Sequence, residues 1–182
     1  METWIGLGII ALLVLYVIAI YNKLVRQRTM AEEGWSGVDV QLKKRANLIP
    51  NLVETVKGYA SHEQSVFEDL ANARAASLGA NSVKDQAQAE TLMGGVLGRL
   101  MAVAEAYPDL KADQRFGDLQ RELSELEQAI EMARRYYNGT VRDLNVTIDS
   151  FPSNLIAGQF KFEKKEFFEI DEAARALPEV SF

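Results

Sequence analysis

Apolar residues recur at helical spacing along most of this 182-residue chain. Heptads written from Trp35 give one apolar series, and a second series begins at Val38. Together they form a stripe of about 40 residues, interrupted by Arg45 and Glu63. Pro50 lies within the stripe, yet the heptad phase is the same on both sides of it. Because a helix that ended at the proline would have no reason to resume in phase, the pattern predicts one long helix bent at Pro50.

Two further helices are predicted. The segment "LGANS" at 78–82 ends the first helix, with Gly79 as its stop and Ser82 as the N-cap of the second. The second runs from about residue 83 to 107 and the third from about 111 to 151, each closed by a proline. The apolar positions expected to face the core are Leu92, Val96, Leu100, Val103 and Tyr107 in the second helix, and Phe116, Leu119, Leu123, Leu126, Ile130, Ala133, Tyr137, Leu144, Ile148 and Phe151 in the third.

These elements predict an all-α fold. No stretch alternates with period two for long enough to form a sheet, although residues 158–170 could include a short extended piece. Short connections predict antiparallel neighbours, hence an up-and-down bundle of three to four long helices with coiled-coil-like spacing. The predicted division is a membrane anchor with a basic segment (1–28), a helical bundle (29–152) and an aromatic carboxy-terminal docking tail (153–182).

The amino-terminal segment is a candidate membrane span. Trp4 to Tyr21 is 18 residues without a charge, and as a helix it reaches about 27 Å, close to the thickness of a hydrocarbon core. A signal peptide is the alternative, but no lysine or arginine precedes the run and no small-residue cleavage site follows it. Lys23, Arg26 and Arg28 follow the run, so we expect the amino terminus outside and the bundle in the cytoplasm.

Composition and motifs assign no catalytic, cofactor-binding or metal-binding residue. The net charge is −6, which disfavours a nucleic-acid partner, and there is no cysteine. His62 is the only histidine, so one chain cannot form a two-histidine zinc site. Gly94, Gly95 and Gly98 lack the lysine of a phosphate-binding loop and are expected to let two helices approach closely. We therefore expect no enzymatic activity and no cofactor.

A polar set around Pro50 has two interpretations. Arg45 and Glu63 fall on the core stripe, and the neighbouring polar residues are Asn47, Asn51, Glu54 and Lys57. In the first interpretation the set pairs within the core and satisfies the carbonyl that the proline frees. In the second it is a contact site for another subunit or protein. The sequence favours packing, because buried polar groups need partners.

The third helix is predicted to be about 20 Å longer than the second. Its end, residues 137–151, would then lack a partner helix despite apolar residues that include Leu144 and Phe151. The cover would be the aromatic tail, on its own chain or on a neighbour. The tail's apolar residues are Phe160, Phe162, Phe167, Phe168, Ile170 and Phe182.

Several blocks of the chain closely resemble the LemA family. They are "YNKLV" (21–25), "WSGVDVQLKKRANLIPNLVETVKGYASHE" (35–63), "AYPDLKADQRFGDLQRELSELEQAIEMARRYYNGTV" (106–141), "FPSNLIAGQFKF" (151–162) and "FFEI" (167–170). The resemblance implies a bacterial inner-membrane protein with one amino-terminal span, a cytoplasmic helical bundle and no established enzymatic activity. It also implies relatives that build magnetosome membranes or are encoded beside membrane metallopeptidases.

Three functions are open at this point. The first is a non-enzymatic, membrane-anchored scaffold that contacts lipid and assembles as a homo-oligomer. The second is an adaptor or sensor that presents its bundle to a membrane protein partner such as a metallopeptidase. The third is an enzyme with a buried carboxylate site.

Overall fold

The computed structural model describes residues 1–170 and is helical, with no strand in that range, which confirms the predicted all-α class. The helices are α1 (Glu2–Lys57), α2 (Gln64–Gly79), α3 (Val83–Ala106), α4 (Pro108–Lys111), α5 (Gln114–Asp149) and α6 (Ser153–Gln159). Ser82 caps α3 as predicted, since its Oγ accepts the Asp85 N–H at 3.0 Å. The short helices α4 and α6 were not predicted.

The prediction for the first helix is half right. Pro50 does lie inside a helix, but α1 ends at Lys57 and residues 58–63 separate it from α2. Gly58 follows directly, and glycine disfavours a helix interior by about 1 kcal/mol relative to alanine. Two contacts show that α2 folds back along α1. Lys57 Nζ lies 5.3 Å from the centre of the Phe67 ring, and Arg74 donates a hydrogen bond to the Ala46 carbonyl. The stripe stayed in phase across this turn although the helix did not continue.

The chain forms two units, each with its own apolar interior. The second unit comprises Gly37–Arg134 together with residues 168–170, and its core is built from the end of α1, from α2 to α4 and from the start of α5. In α3 the buried stripe follows Met93 and Leu97, whereas Leu92 is 59% exposed. The predicted core position at Leu92 is therefore wrong. The true stripe was hidden because it also carries the polar residues Gln86 and Glu90.

The first unit comprises Met1–Ser36 and Arg135–Phe167. Here α5 runs antiparallel to α1: the Trp35 and Tyr137 rings are 5.2 Å apart, and Gln27 Nε2 donates to the Asp143 carbonyl at 3.2 Å. The two backbones are close, since a Cβ on Gly34 would lie 3.2 Å from the Tyr137 Cα.

The end of α5 therefore has a partner, contrary to prediction. Val141 and Leu144 are buried, and Leu144 packs with Ile20 and Leu24 of α1. The prediction failed because it took Trp35 as the start of the first helix, whereas α1 already begins at Glu2 and supplies the missing surface. Phe151 is 80% exposed. Its predicted core position is therefore wrong, whereas the expectation that it has no partner helix is confirmed.

The segment after α6 packs against its own chain. Asn145 exchanges two hydrogen bonds with the Lys165 backbone, at 2.9 and 3.0 Å, and the Tyr137 hydroxyl donates to the Glu166 carbonyl at 2.8 Å. Burial raises the pKa of Tyr137, and the Glu166 charge adds to the effect. Phe162 joins the core of the first unit, and Phe168 and Ile170 are also buried. Phe182 lies outside the described residues.

Among residues 1–170, α1 is the one helix that is long and apolar enough to cross a membrane. Its apolar window is not buried in the protein at all, so Ile5, Leu12 and their neighbours present hydrocarbon to the surroundings. The apolar part of α1 thus differs from the core helix of a soluble domain, which would be covered by its neighbours.

Candidate functional site

Two motif candidates from the sequence do not contribute to a functional site. His62 is exposed in the turn between α1 and α2. A Cβ added at Gly94, Gly95 or Gly98 would meet no atom within 4 Å, so the expected close helix approach is absent at these glycines. Within residues 1–170 no group of three or more histidine, cysteine or acidic side chains is placed to hold a metal ion.

The outstanding polar feature of the second unit is a buried ion pair. Arg45 of α1 is paired with Glu90 of α3, and the two side chains are only 3% and 1% exposed. A second carboxylate, Glu127 of α5, accepts from Arg45 Nη1 at 2.9 Å and is 36% exposed. One cation thus connects three helices that are far apart in the sequence.

Neutral side chains complete the shell of the Glu90 carboxylate. Ser77 of α2 donates its hydroxyl to Glu90 Oε1 at 3.0 Å. Gln86, one turn before Glu90 on α3, donates from Nε2 to the same oxygen at 3.1 Å and to Ser77 Oγ at 3.1 Å. The charged pair and this shell, which we call the Arg45 cluster (Arg45, Ser77, Gln86, Glu90 and Glu127), therefore join α1, α2, α3 and α5.

The electrostatics of the Arg45 cluster favour the charged state of Arg45. Burial by itself lowers the pKa of this guanidinium, but the charges of Glu90 and Glu127 and their hydrogen bonds outweigh that effect, so the pKa is raised. The remaining nitrogen, Nε, is buried without a hydrogen-bond partner in the described structure. Because the charged groups are directed at one another, the cluster is suited to fixing helix register rather than to binding a substrate.

The carbonyl freed by Pro50 is satisfied by a residue that the sequence did not indicate. Pro50 has no N–H to donate to the Ala46 carbonyl one turn earlier. Arg74 of α2 donates its Nε to that carbonyl at 2.7 Å. A side chain does satisfy the freed carbonyl, as predicted, but it belongs to Arg74, which is 28 positions from Ala46 in the sequence.

The predicted polar set around Pro50 divides into two groups. Arg45 is buried and Glu63 is half-buried, whereas Asn47, Asn51, Glu54 and Lys57 are exposed. Packing thus accounts for Arg45, and the contact-site interpretation is left for the exposed residues.

Two open grooves of about 610 and 580 Å³ lie between α1 and α5 in the second unit. Asn51 lines both of them. The first is also lined by Lys44, Asn47, Leu48, Glu122, Glu125, Leu126 and Ala129, and the second by Glu54, Thr55, Tyr59, Asp113, Arg115, Asp118 and Leu119. Carboxylates outnumber cations along both walls together, so the grooves favour a basic or hydrogen-bonding occupant over an anion.

A surface hydrogen bond links two of the residues that line the second groove. The Tyr59 hydroxyl donates to Asp113 Oδ2 at 2.8 Å, and the Phe116 N–H donates to Asp113 Oδ1 at 2.9 Å. The backbone donor at Phe116 and then the Tyr59 hydroxyl lower the pKa of Asp113. The same hydrogen bond to Asp113 raises the pKa of Tyr59. Asp113 therefore stays ionised and holds the start of α5 next to the end of α1.

Sequence reasoning missed four members of the Arg45 cluster: Ser77, Gln86, Glu90 and Glu127. A usable signal was present, because Glu90, Met93, Leu97 and Leu100 share one helical face at spacings of three or four residues. A carboxylate on that face, together with Arg45 on the stripe of α1, would have suggested a buried pair.

Comparison with known proteins identifies similar sequences. The profile of the LemA family matches residues 34–182. The magnetosome proteins MamQ 2 and MamQ 1 of Paramagnetospirillum magneticum are each 27% identical to the chain, over 82% of the chain and 64% of the relative. Magnetosome protein MamQ of Magnetospirillum gryphiswaldense is 25% identical, over 81% and 64%. The chain spans less than two thirds of the length of these curated relatives.

Proposed function

The chain belongs to the LemA family, and on that premise we propose that it is a non-enzymatic scaffold anchored in a bacterial membrane by one amino-terminal helix. The bundle lies at the cytoplasmic face of the inner membrane, and copies associate through their helices. Three similar proteins are named as magnetosome proteins, which fits a role in organising a membrane surface.

One observation carries this proposal. α1 is uninterrupted from Glu2 to Lys57, so the apolar, unburied segment and the buried Arg45 belong to the same helix. An apolar segment that finds no cover in its own protein is stable in a lipid bilayer. Anchoring also confines the copies to two dimensions, and the higher effective concentration allows weak contacts to assemble them.

We predict that the full-length chain, extracted in mild detergent, forms particles several times larger than the 20.3 kDa monomer. Light scattering coupled to size exclusion measures the protein mass of the particle separately from bound detergent. The same measurement on a chain that ends at Ile170 shows whether the residues beyond it contribute to assembly. A particle that contains one copy at every protein concentration would contradict the scaffold.

A second prediction concerns orientation. Lys23 and Arg26 are exposed just beyond the apolar segment, and positively charged flanks remain cytoplasmic. Green fluorescent protein fused after Phe182 should therefore fluoresce, while alkaline phosphatase at the same position should be inactive. Replacing Lys23 and Arg26 by glutamine is expected to weaken this bias and to raise phosphatase activity. High phosphatase activity in the unmodified fusion would show the reverse topology.

The exposed polar residues in the α1–α5 grooves favour a second candidate function, an adaptor that presents the bundle to a membrane protein partner such as a metallopeptidase. Asn47, Asn51 and Glu54 have no packing role, and they line surfaces that remain open. The particle measurement separates the two candidates, because an adaptor would be recovered as a single copy with a different protein in fixed ratio.

A further inference from the structure

We propose that α6 and the residues flanking it form a second, peripheral membrane contact beside the transmembrane helix. The contact surface consists of Phe151, Leu155 and Phe160, which we call the apolar patch, and its occupant is the interfacial layer of the lipid bilayer. This inference rests on the proposed anchoring of α1 in a membrane.

The pairing of α5 with α1 places the patch at the right height. Along the first unit, Tyr137 lies against Trp35, Asp143 against Gln27, and Leu144 and Ile148 in the cluster with Leu24 and Ile20. The two helices are antiparallel, so each step toward the end of α5 is a step toward the apolar segment of α1. The end of α5 reaches the level of Ile20, and Phe151 follows within two residues.

α6 is held against the last turn of the apolar segment. Ala157 packs in the cluster with Ile20 and Leu24, with Ile156 at its edge. Immediately after α6, the Phe160 ring contacts the Tyr21 ring at 4.8 Å in an edge-to-face arrangement. Tyr21 is the last residue of the apolar segment, and tyrosine prefers the boundary between lipid and water.

The three side chains of the apolar patch are exposed, although an apolar cluster that could bury them lies nearby. Phe151 is 80%, Leu155 64% and Phe160 53% exposed, while Ile156 and Ala157 on the same short helix pack inward. A helix that buries one face and leaves large apolar side chains on the other requires a cover. At the level of Ile20, the bilayer that receives the span is such a cover.

The charges around the patch fit an interfacial position. Lys23, Arg26 and Lys161 are exposed near it, and cations at this height meet lipid phosphates. The carboxylate of Asp149, at the end of α5, is paired with Lys164 at 2.7 Å, which reduces its repulsion from anionic lipid. Amphipathic segments with aromatic and basic residues lie about 5–10 Å deep in the boundary between headgroups and acyl chains.

The chain offers a direct test, since it contains no cysteine and accepts a single label without background. Leu155→Cys in the full-length protein is labelled with an environment-sensitive dye and reconstituted in lipid nanodiscs. We expect blue-shifted emission and quenching by lipids spin-labelled near the headgroup, stronger than by lipids labelled deep in the acyl chain. Tyr136→Cys is the matched control, because this residue is 52% exposed in the same unit but lies beside Gly34, well beyond the apolar segment of α1. Its dye should show neither effect.

A second control separates this inference from the anchoring on which it rests. Leu12→Cys lies within the apolar segment of α1 and should be quenched best by the deep label. If Leu12 is quenched but Leu155 behaves like Tyr136, the apolar patch does not contact lipid and the inference is wrong while the anchor stands. Blue-shifted emission at Leu155 without lipid quenching would also overturn it, because protein would then cover the patch. If Leu12 is not quenched, the anchoring itself is wrong.

Discussion

Replacing Arg45 by methionine is expected to lower the free energy of unfolding by about 3–5 kcal/mol, because it leaves a buried carboxylate without its counter-charge. The Glu90 side chain is 1% exposed and cannot turn to water. Glu127 is 36% exposed and can turn to water, so most of the loss in the free energy of unfolding arises at Glu90. Urea denaturation of the full-length chain in mild detergent, followed by circular dichroism, measures the change.

Two comparisons make the Arg45 result specific. Lys43 lies two residues before Arg45 on the same helix and forms an exposed ion pair with Asp39, four residues before it. Lys43→Met removes that pair and should cost at most about 1 kcal/mol. Adding Glu90→Gln to Arg45→Met removes the stranded charge but keeps an oxygen for Ser77 and Gln86, so much of the stability should return. If the double variant is as unstable as the single one, the effect comes from lost packing and not from the buried charge.

Arg74→Met is expected to cost about 1–3 kcal/mol when Pro50 is present and clearly less in a Pro50→Ala background. In the first case the Ala46 carbonyl loses the donor at 2.7 Å that replaces the missing helical N–H. In the second, the N–H of the alanine at position 50 is in place to donate to the same carbonyl. The four proteins form a double-mutant cycle, measured by the same urea denaturation.

Pro50→Ala alone should preserve helix content and raise stability, by no more than about 3 kcal/mol. Pro50 is exposed, so its removal leaves no internal cavity. Equal costs of Arg74→Met in both backgrounds would show that Arg74 does not compensate for the proline. Loss of helical signal in Pro50→Ala would contradict a continuous α1.

The value of the heptad pattern and its limit are both visible at the turn after Lys57. Val56 and Leu70 belong to one phase and are both buried, as the stripe predicts. The same phase was taken to mean one continuous helix, and that conclusion is wrong because α2 folds back to bury its face against the same core. The heptad periodicity indicates which side of a segment is buried. It does not indicate whether that segment continues the preceding helix or folds back on it.

The sequence by itself determined what depends on neighbours within a few residues. The helical class, the ends of α3 at Ser82 and Pro108, and the uncharged segment before Lys23 follow from local hydrogen bonding, local sterics and transfer into an apolar environment. The LemA blocks were likewise readable without a structure.

Only the tertiary structure decided which polar groups meet. Arg45 and Glu90 are 45 residues apart, and Arg74 and Ala46 are 28 apart. The heptad stripe placed Arg45 on the core side of α1, but residues near it in the chain do not indicate that its partner is Glu90. The contact between Arg74 and the Ala46 carbonyl was likewise not indicated by the sequence around either residue. The part of α1 around Ile20 and Leu24 became the partner of Leu144 for the same kind of reason. Such pairings reduce the unpaired charge and the exposed apolar surface of the whole fold. This depends on residues far apart in the sequence, so no short segment of the chain determines it.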